Sequence, residues 1–202
     1  DNVSEVILTN SSTVIENLNI KNTKLIIHPN SGYDNFSPNF VKNFNGTIIV
    51  GNPIRQRPVT EYILSAIFSK MNSFPYQEEW SSNRNWDRKL ISDQRILIIG
   101  YGHIGKIVFK TLSTLTSSIE ISDPFLCLER KSKLKDFDFI INCSSLNPTS
   151  FHMINEEFLK ELSSNVTIIN AARGKHINFD HLIGFLKKYP HAKCFVDVFE
   201  QE

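Results

Sequence analysis

Short runs of apolar residues, rich in Ile, Leu and Val, recur along this chain with polar segments between them. The runs are residues 6–8, 25–28, 47–50, 96–99, 118–122, 137–142, 166–170 and 194–198. Each run has the length and composition of a β-strand, and turn-forming residues such as Asn, Ser, Gly and Pro follow the early ones. Because segments of helical length separate the runs, the pattern predicts parallel β-sheet with helices packed against it.

Helical periodicity is clearest between residues 59 and 71, where the apolar residues at four-residue spacing are Val59, Ile63, Ile67 and Met71. This stripe predicts a buried or interfacial helix. Further helices are predicted at residues 104–115, 156–162 and 180–188. The more polar residues 76–88 carry Trp80 and Trp86, which we interpret as hydrophobic anchors between helices in preference to ligand contacts.

A glycine-rich turn follows the strand at residues 96–99, with Gly100, Gly102 and Gly105 in it, and the apolar pattern restarts at helical spacing from Ile104. A strand, a tight turn and a helix in this order can receive a pyrophosphate. The first glycine permits the turn, the second lets the backbone approach the phosphates, and the third lets helix and strand pack closely. Unpaired N–H groups at the start of the helix favour an anionic ligand.

An acidic residue, Asp123, follows the next strand, about twenty residues after the glycines, where a carboxylate can accept hydrogen bonds from ribose hydroxyls. The same negative charge repels a 2′-phosphate, so we expect NAD and not NADP as the cofactor. The alternative is that Asp123 only caps the turn that begins at Pro124.

The order of elements after residue 95 predicts an α/β fold with a Rossmann-type doubly wound parallel sheet. Ligands of such sheets bind beyond the carboxyl ends of the strands, so residues 143–145, 171–174 and 199–202 are candidates for ligand contacts. The three strands before residue 55 are too few for a well-covered sheet with its own core. We expect them to be part of a domain whose other pieces lie elsewhere.

Composition and charge exclude several classes of function. The 202 residues are 41% hydrophobic and 21% charged with a formal net charge of +1, so neither nucleic acid nor a membrane is expected as a partner. No apolar run reaches the length of a membrane span. The three cysteines lack the spacing of metal ligands, which predicts no metal site and favours a reducing, cytoplasmic environment.

Several short motifs together resemble the D-isomer-specific 2-hydroxyacid dehydrogenases, the group that includes phosphoglycerate, glycerate and formate dehydrogenases. The motifs are GYDN at residues 32–35, VTE at 59–61, GYGHIGK at 100–106, HMIN at 152–155, NAARG at 170–174 and DVFEQE at 197–202. The resemblance implies an NAD-dependent oxidoreductase that transfers hydride between nicotinamide and a D-2-hydroxy acid/2-oxo acid pair. It also implies a partial flavodoxin-like substrate domain at residues 1–55, an NAD-binding Rossmann domain at 56–202, and a homodimer whose interface includes the helix from Val59.

The resemblance further implies roles for single residues. Arg173 matches a catalytic arginine that holds the 2-oxo acid, and Glu202 matches a catalytic glutamate that hydrogen-bonds an acid/base histidine. Substrate contacts are implied at Asn30, Ser31, Gly32, Arg55 and Arg173. Cofactor contacts are implied at Gly100, Gly102, His103, Ile104, Gly105, Asp123, Cys143, Ser144, Ser145, Ala171 and Asp197. Without the motifs, Arg173 would be interpreted as a surface or capping arginine and Glu202 as part of a solvated acidic tail.

Two departures from the family pattern bear most on the site and the fold. The family's acid/base histidine lies beyond the position of Glu202, and none of the six histidines is in the matching motif; His176, for example, is expected in a loop. Because the chain also starts at Asp1 and not at Met, we expect a fragment of a complete enzyme. The short segment 124–136 predicts that the third strand of the Rossmann sheet is shortened or absent.

A second class of function is compatible with the same residues. An NAD(H)-sensing, corepressor-like scaffold without efficient turnover would suit a cleft that lacks the acid histidine. A flavin-binding or methyl-donor-binding Rossmann protein is disfavoured, because those ligands do not require the NAARG segment at residues 170–174.

Overall fold

The computed structural model of the protein describes residues 4–30, 32–71, 80–82 and 89–199. Within these ranges the strands form two parallel sheets. The first contains β1 (Val6–Leu8), β2 (Leu25–His28) and β3 (Thr47–Val50), in that spatial order. The second contains β4 (Ile96–Ile99), β5 (Ile119–Ser122), β6 (Phe139–Asn142), β7 (Thr167–Asn170) and β8 (Lys193–Val196). Its spatial order is β5-β4-β6-β7-β8, which confirms the predicted doubly wound α/β fold.

The helices of the described ranges are α1 (Pro38–Asn43), α2 (Asn52–Met71), α3 (His103–Leu112), α4 (Glu156–Lys160) and α5 (Phe179–Lys188). The predicted start of α2 at residue 59 is wrong, because the helix begins at Asn52 and includes Pro58 in its interior. Its first turns carry exposed polar side chains such as Arg55 and Arg57, so hydrophobic periodicity does not reveal them. None of these helices combines the length and the apolar composition that crossing a bilayer requires.

Alternate residues of the second sheet face opposite layers of helices. On β4, Ile96 and Ile98 pack with Val108 of α3, whereas Leu97 packs with Leu182 of α5. All of these side chains are almost completely buried, and burial of an aliphatic side chain of this size contributes roughly 1.5–3 kcal/mol. The two hydrophobic layers hold the carboxyl ends of β4, β6 and β7 side by side at one edge of the sheet.

Among the described residues, those that cover the first sheet pack on one face of it. Ile26 is buried against Ile15 and Phe36, whereas Leu8 and Ile49 on the opposite face are 71% and 50% exposed. The predicted domain boundary at residue 55 lies inside α2, which runs through it without a break, and the boundary stays a prediction.

The segment between β5 and β6 is entirely described and contains 3₁₀ turns at Pro124–Leu126 and Leu134–Asp136 but no strand. The prediction of a shortened or absent third strand is therefore confirmed. β5 is left at the edge of the sheet, where Glu120 accepts hydrogen bonds from the backbone N–H groups of Lys131 and Ser132 at 2.6 and 3.1 Å. These bonds fold the short connection back over the edge strand.

Candidate functional site

The glycine turn after β4 has the geometry that its sequence predicts. Gly100 has a φ of +90°, a conformation that favours glycine, and a Cβ there would lie 2.6 Å from the Cα of Ser144. A Cβ on Gly105 would lie 2.1 Å from the carbonyl oxygen of Gly100. Both glycines are therefore required for α3 to pack onto the turn and for the turn to contact the end of β6.

Gly102 differs from these two glycines because a Cβ at this position would have open space around it. It is the N-cap residue of α3, and no side chain caps the helix here. The exposed His103 and the partly buried Ile104 follow as the first residues of the helix. Free N–H groups and the positive end of the helix dipole thus face open space, which fits a pyrophosphate.

Asp123 lies beside this turn and is 9% exposed. Its Oδ2 accepts a hydrogen bond from the backbone N–H of Tyr101 at 2.7 Å, and its Oδ1 accepts one from Phe125 at 3.0 Å. The capping role considered for Asp123 is therefore present. It is compatible with ribose binding, since each carboxylate oxygen can accept a further hydrogen bond.

Arg173, which follows β7, reaches across to the loop after β2. Its Nε donates to Oδ1 of Asp34 at 3.0 Å, its Nη2 forms an ion pair with the same oxygen at 2.9 Å, and its Nη1 donates to the carbonyl oxygen of Ala172 at 3.0 Å. A Cβ on Gly32 would lie 1.6 Å from Nη2, so only glycine admits the guanidinium here. Because a guanidinium has five N–H donors and three are used, two remain for a ligand.

Two further predicted substrate residues also meet. Nη2 of Arg55 on α2 donates to Oδ1 of Asn30 at 3.0 Å, and both side chains are partly or fully accessible. Asn30, Gly32, Asp34, Arg55 and Arg173 together form what we call the two-arginine site. The predicted residues Ser31 and Glu202 lie outside the described residues, as does Trp86.

A buried polar network lies behind Arg173. Nδ2 of Asn142 donates to Oδ1 of Asn170 at 2.9 Å, and Nδ2 of Asn170 donates to the carbonyl oxygen of Arg173 at 2.9 Å. Oγ of Ser144 lies 2.6 Å from Oδ1 of Asn142 and 3.2 Å from Nε2 of His176. The network joins the carboxyl ends of β6 and β7 to the backbone of Arg173.

His176 does not lie in a loop as predicted, but ends a 3₁₀ turn and is completely buried. Its Nδ1 lies 3.1 Å from the carbonyl oxygen of Arg173. Burial lowers the pKa of His176, and the nearby Arg173 guanidinium lowers it further, although backbone hydrogen bonds act in the opposite direction. The imidazole is therefore neutral at pH 7.

A consequence of this pKa shift is lower stability in acid. Below the ordinary histidine pKa of 6.5, the unfolded chain takes up a proton that folded His176 resists, so the free energy of unfolding falls as the pH falls. We expect urea unfolding at pH 7.5 and 5.5 to show a larger loss of stability for the wild type than for His176→Gln. An equal loss in both proteins would assign the acid sensitivity to other groups.

The remaining predicted cofactor residues lie around the same edge of the sheet. Ala171 is buried, Ser145 is exposed, and Asp197 is exposed after β8 with its N–H bonded to the carbonyl oxygen of Asn170 at 3.0 Å. Burial raises the pKa of Cys143 and Cys194 to about 12, so these thiols stay protonated and are poor nucleophiles. In the described part of the chain no group of His, Cys, Asp or Glu could hold a metal ion.

Two residues of the site were not identified from the sequence. Asp34 belongs to the GYDN motif, but nothing local indicates that it pairs with an arginine 139 positions later. The available signal for His176 was its position two residues after the NAARG motif, which we interpreted as a loop position.

Comparison with known proteins agrees with the geometry. The profile of the D-isomer specific 2-hydroxyacid dehydrogenase NAD-binding domain matches residues 64–202. Erythronate-4-phosphate dehydrogenase of Wigglesworthia glossinidia brevipalpis is 28% identical over 211 residues, which cover 98% of this chain and 52% of that protein. Glyoxylate reductase of Pyrococcus horikoshii is 32% identical over 118 residues, 52% of this chain and 35% of that protein. The chain spans about half the length of the first two erythronate-4-phosphate dehydrogenases that it matches.

Solved structures show the same fold. The NAD⁺-bound 3-phosphoglycerate dehydrogenase of Entamoeba histolytica superposes with a TM-score of 0.77 and 19% identity over 98% of this chain and 66% of its own. D-Lactate dehydrogenase of Aquifex aeolicus, complexed with NAD and lactic acid, gives a TM-score of 0.71 and 21% identity over 98% of this chain and 65% of its own. From the profile match together with the glycine turn, we conclude that this chain belongs to the D-isomer specific 2-hydroxyacid dehydrogenases and contains their NAD-binding domain.

Proposed function

We propose that the protein is an NAD-dependent oxidoreductase that interconverts a D-2-hydroxy acid and its 2-oxo acid. The observation that carries this proposal is the Arg173 guanidinium, which is fixed by Asp34 and Ala172 with two N–H donors left for an anionic ligand. Bound NAD would supply the hydride acceptor. The family match supports the dehydrogenase and gives no support to the corepressor-like alternative.

In this proposal the chain's own residues bind and polarise the reactants. The turn at Gly100, Gly102 and the start of α3 would hold the pyrophosphate, and Ser144 and Ser145 would contact the nicotinamide ribose. Arg173 binds the carboxylate and the ketone oxygen of the 2-oxo acid, and it binds the oxygen more strongly as negative charge develops there. Asn30 and Arg55 add a second polar contact, and Glu202 is proposed to orient the acid/base histidine.

The described histidines near these residues are not assigned as the general acid. His28 is completely buried, with its ring nitrogens 2.9 Å from Oγ1 of Thr9 and 2.9 Å from the carbonyl oxygen of Gly32. His176 is equally buried. The proposal therefore gives substrate binding and charge stabilisation, but not proton donation, to the described residues.

Three broader features belong to the same proposal. Residues 1–55 form part of the substrate domain and residues 56–202 the NAD-binding domain. The protein is a homodimer that uses α2, on which Ile54 and Phe68 are 69% and 39% exposed. It works in the cytoplasm, since its three cysteines are all free thiols.

The proposal is tested by mixing the full-length protein and NADH with a panel of 2-oxo acids. The panel contains glyoxylate, hydroxypyruvate, pyruvate, 2-oxoglutarate and the 2-oxo acid derived from erythronate 4-phosphate, and oxidation of NADH is followed by its absorbance. We expect turnover of at least one compound. NADH binding and NADH-dependent oligomerisation without any turnover would instead favour the scaffold.

Cofactor choice gives a separate prediction. We expect Asp123→Asn to lower the preference for NADH over NADPH by about tenfold or more, because it removes the charge that repels a 2′-phosphate. Its amide oxygen keeps one of the two backbone hydrogen bonds that Asp123 accepts. Dissociation constants are measured by the fluorescence of each bound cofactor. Asp136→Asn is the matched control, because Asp136 also accepts a backbone hydrogen bond, from Lys133 at 3.0 Å. An unchanged preference in Asp123→Asn would assign Asp123 to capping alone.

A further inference from the structure

We propose that His176 is a positioning residue that fixes the main chain of Arg173 and connects it to Ser144 at the cofactor end of the site. The proposal rests on the proposed function, because it assigns Arg173 to substrate binding. His176 itself is completely buried, so its side chain is not exposed to a ligand. Its effect must therefore pass through the two residues that it joins.

The first link is the carbonyl oxygen of Arg173, which has three donors within hydrogen-bond distance. They are Nδ2 of Asn170 at 2.9 Å, Nδ1 of His176 at 3.1 Å and the backbone N–H of His176 at 3.2 Å. A carbonyl oxygen has two lone pairs, so this acceptor is fully used. The peptide group that carries the Arg173 side chain is held from two elements at once, the end of β7 and the 3₁₀ turn.

The second link runs from the other ring nitrogen to β6. Nε2 of His176 lies 3.2 Å from Oγ of Ser144, and this hydroxyl lies 2.6 Å from Oδ1 of Asn142. Asn142 is bonded in turn to Asn170, which returns to Arg173. Because Nδ1–H of the neutral imidazole donates to the Arg173 carbonyl oxygen, Nε2 is an acceptor, and the single Ser144 hydroxyl proton serves either Nε2 or Oδ1 of Asn142. The contacts close a ring in which the imidazole joins the ends of β6 and β7.

The ring also connects Arg173 to the pyrophosphate turn. The Cα of Ser144 is the atom that a Cβ on Gly100 would meet at 2.6 Å, so Ser144 packs directly against the turn. His176 therefore links the residue that packs on the glycine turn to the backbone of Arg173. Loss of the imidazole removes one of the three donors at the Arg173 carbonyl oxygen and breaks the link to Ser144. Small misplacements of a binding group can lower rates about 100-fold.

If His176 only filled the core and satisfied its own hydrogen bonds, its substitution would have a different effect. Substitution would then lower stability without a selective effect on the substrate side. The charged groups that act on the ring are Arg173, which disfavours its protonation, and Asp34, which favours it. Since both belong to the two-arginine site, the ring is electrostatically coupled to that site as well as bonded to it.

The test compares His176→Leu with His176→Asn in the full-length protein. Asparagine places an amide donor near the position of Nδ1, whereas leucine fills space without a donor. We expect His176→Leu to weaken oxamate binding to the NADH complex by about 10- to 100-fold, with NADH binding changed less than about threefold, and His176→Asn to recover most of the loss. His191→Leu, at an exposed position, is the control and should match the wild type.

Amide hydrogen exchange supplies a readout that does not depend on activity. In His176→Leu, exchange at residues 172–176 should become faster relative to the other described residues, and it should return toward wild type in His176→Asn. If exchange in this segment is unchanged, the proposal is overturned, even if the wild type turns over 2-oxo acids. If the wild type binds no oxamate but the segment loosens as expected, the proposed function fails while the positioning of Arg173 by His176 is upheld.

Discussion

Replacement of Arg173 by lysine is expected to lower kcat/KM for the 2-oxo acid by about 10²- to 10⁴-fold. The guanidinium has two N–H donors left after its bonds to Asp34 and Ala172, and each charge-assisted hydrogen bond to a ligand contributes about 1.5–3 kcal/mol. A lysine ammonium cannot reproduce two parallel bonds from one planar group. The measurement is steady-state kinetics with NADH in the full-length protein.

The control for this prediction is Arg130→Lys. Arg130 lies in the same domain and pairs with Glu161 at 3.9 Å, but it is remote in sequence from the two-arginine site. We expect its kinetics to stay within about twofold of wild type, because a partly exposed ion pair of this length contributes little. A wild-type value of kcat/KM in Arg173→Lys would contradict the assignment of Arg173 to substrate binding, on which the proposed function depends.

Asp34 could act on Arg173 in two ways, by positioning the guanidinium or by competing with the substrate carboxylate for it. If Asp34 positions the guanidinium, Asp34→Asn should lower kcat/KM by about tenfold, since a neutral amide oxygen is a weaker acceptor for Nε and Nη2 than a carboxylate. If instead the Asp34 carboxylate competes with that of the substrate, the same change should tighten oxamate binding. We expect the first result, because the two bonds to Oδ1 leave N–H donors free. A double-mutant cycle with Arg173→Lys should be non-additive.

The second large effect is expected in the glycine turn, where two alanine substitutions should separate folding from cofactor binding. Gly102→Ala should weaken NADH binding by about 100-fold or more, since its Cβ would enter the space where the backbone approaches the pyrophosphate. Its stability should change by less than about 1 kcal/mol, because no atom of the chain lies within 4 Å of that Cβ.

Gly105→Ala should mainly lower the stability of the fold, in contrast to Gly102→Ala. Its Cβ would lie 2.1 Å from the carbonyl oxygen of Gly100, so the backbone must move, and overpacking of this kind costs about 1–3 kcal/mol. Urea unfolding gives the stability and NADH fluorescence gives the binding constant. Gly184→Ala in α5 is the control, since its Cβ also meets open space and a helical Gly→Ala change adds about 0.5–1 kcal/mol of stability. Normal NADH binding by Gly102→Ala would place the pyrophosphate elsewhere.

The secondary structure was largely predictable because its signals are local. Branched apolar runs define the strands, and the start and end of each differ from the structure by no more than about two residues. Where the signal was not apolar, prediction failed: the polar first turns of α2 were missed. So was α1, although Ser37 caps it by accepting a hydrogen bond from Phe40 N at 3.2 Å.

The sequence by itself determined the strands, the doubly wound class of the second sheet and the glycine turn, because strand periodicity and glycine stereochemistry depend on neighbouring residues. It also singled out Arg173 through the NAARG motif, although its role remains a prediction. Only the tertiary structure decided which carboxylate holds Arg173 and that His176 is buried behind it. Asp34 and Arg173 are 139 positions apart, and the burial of an imidazole depends on side chains from β6 and β7 that no local pattern brings together. Local stereochemistry therefore determined the glycine turn, and long-range packing placed Asp34 against Arg173.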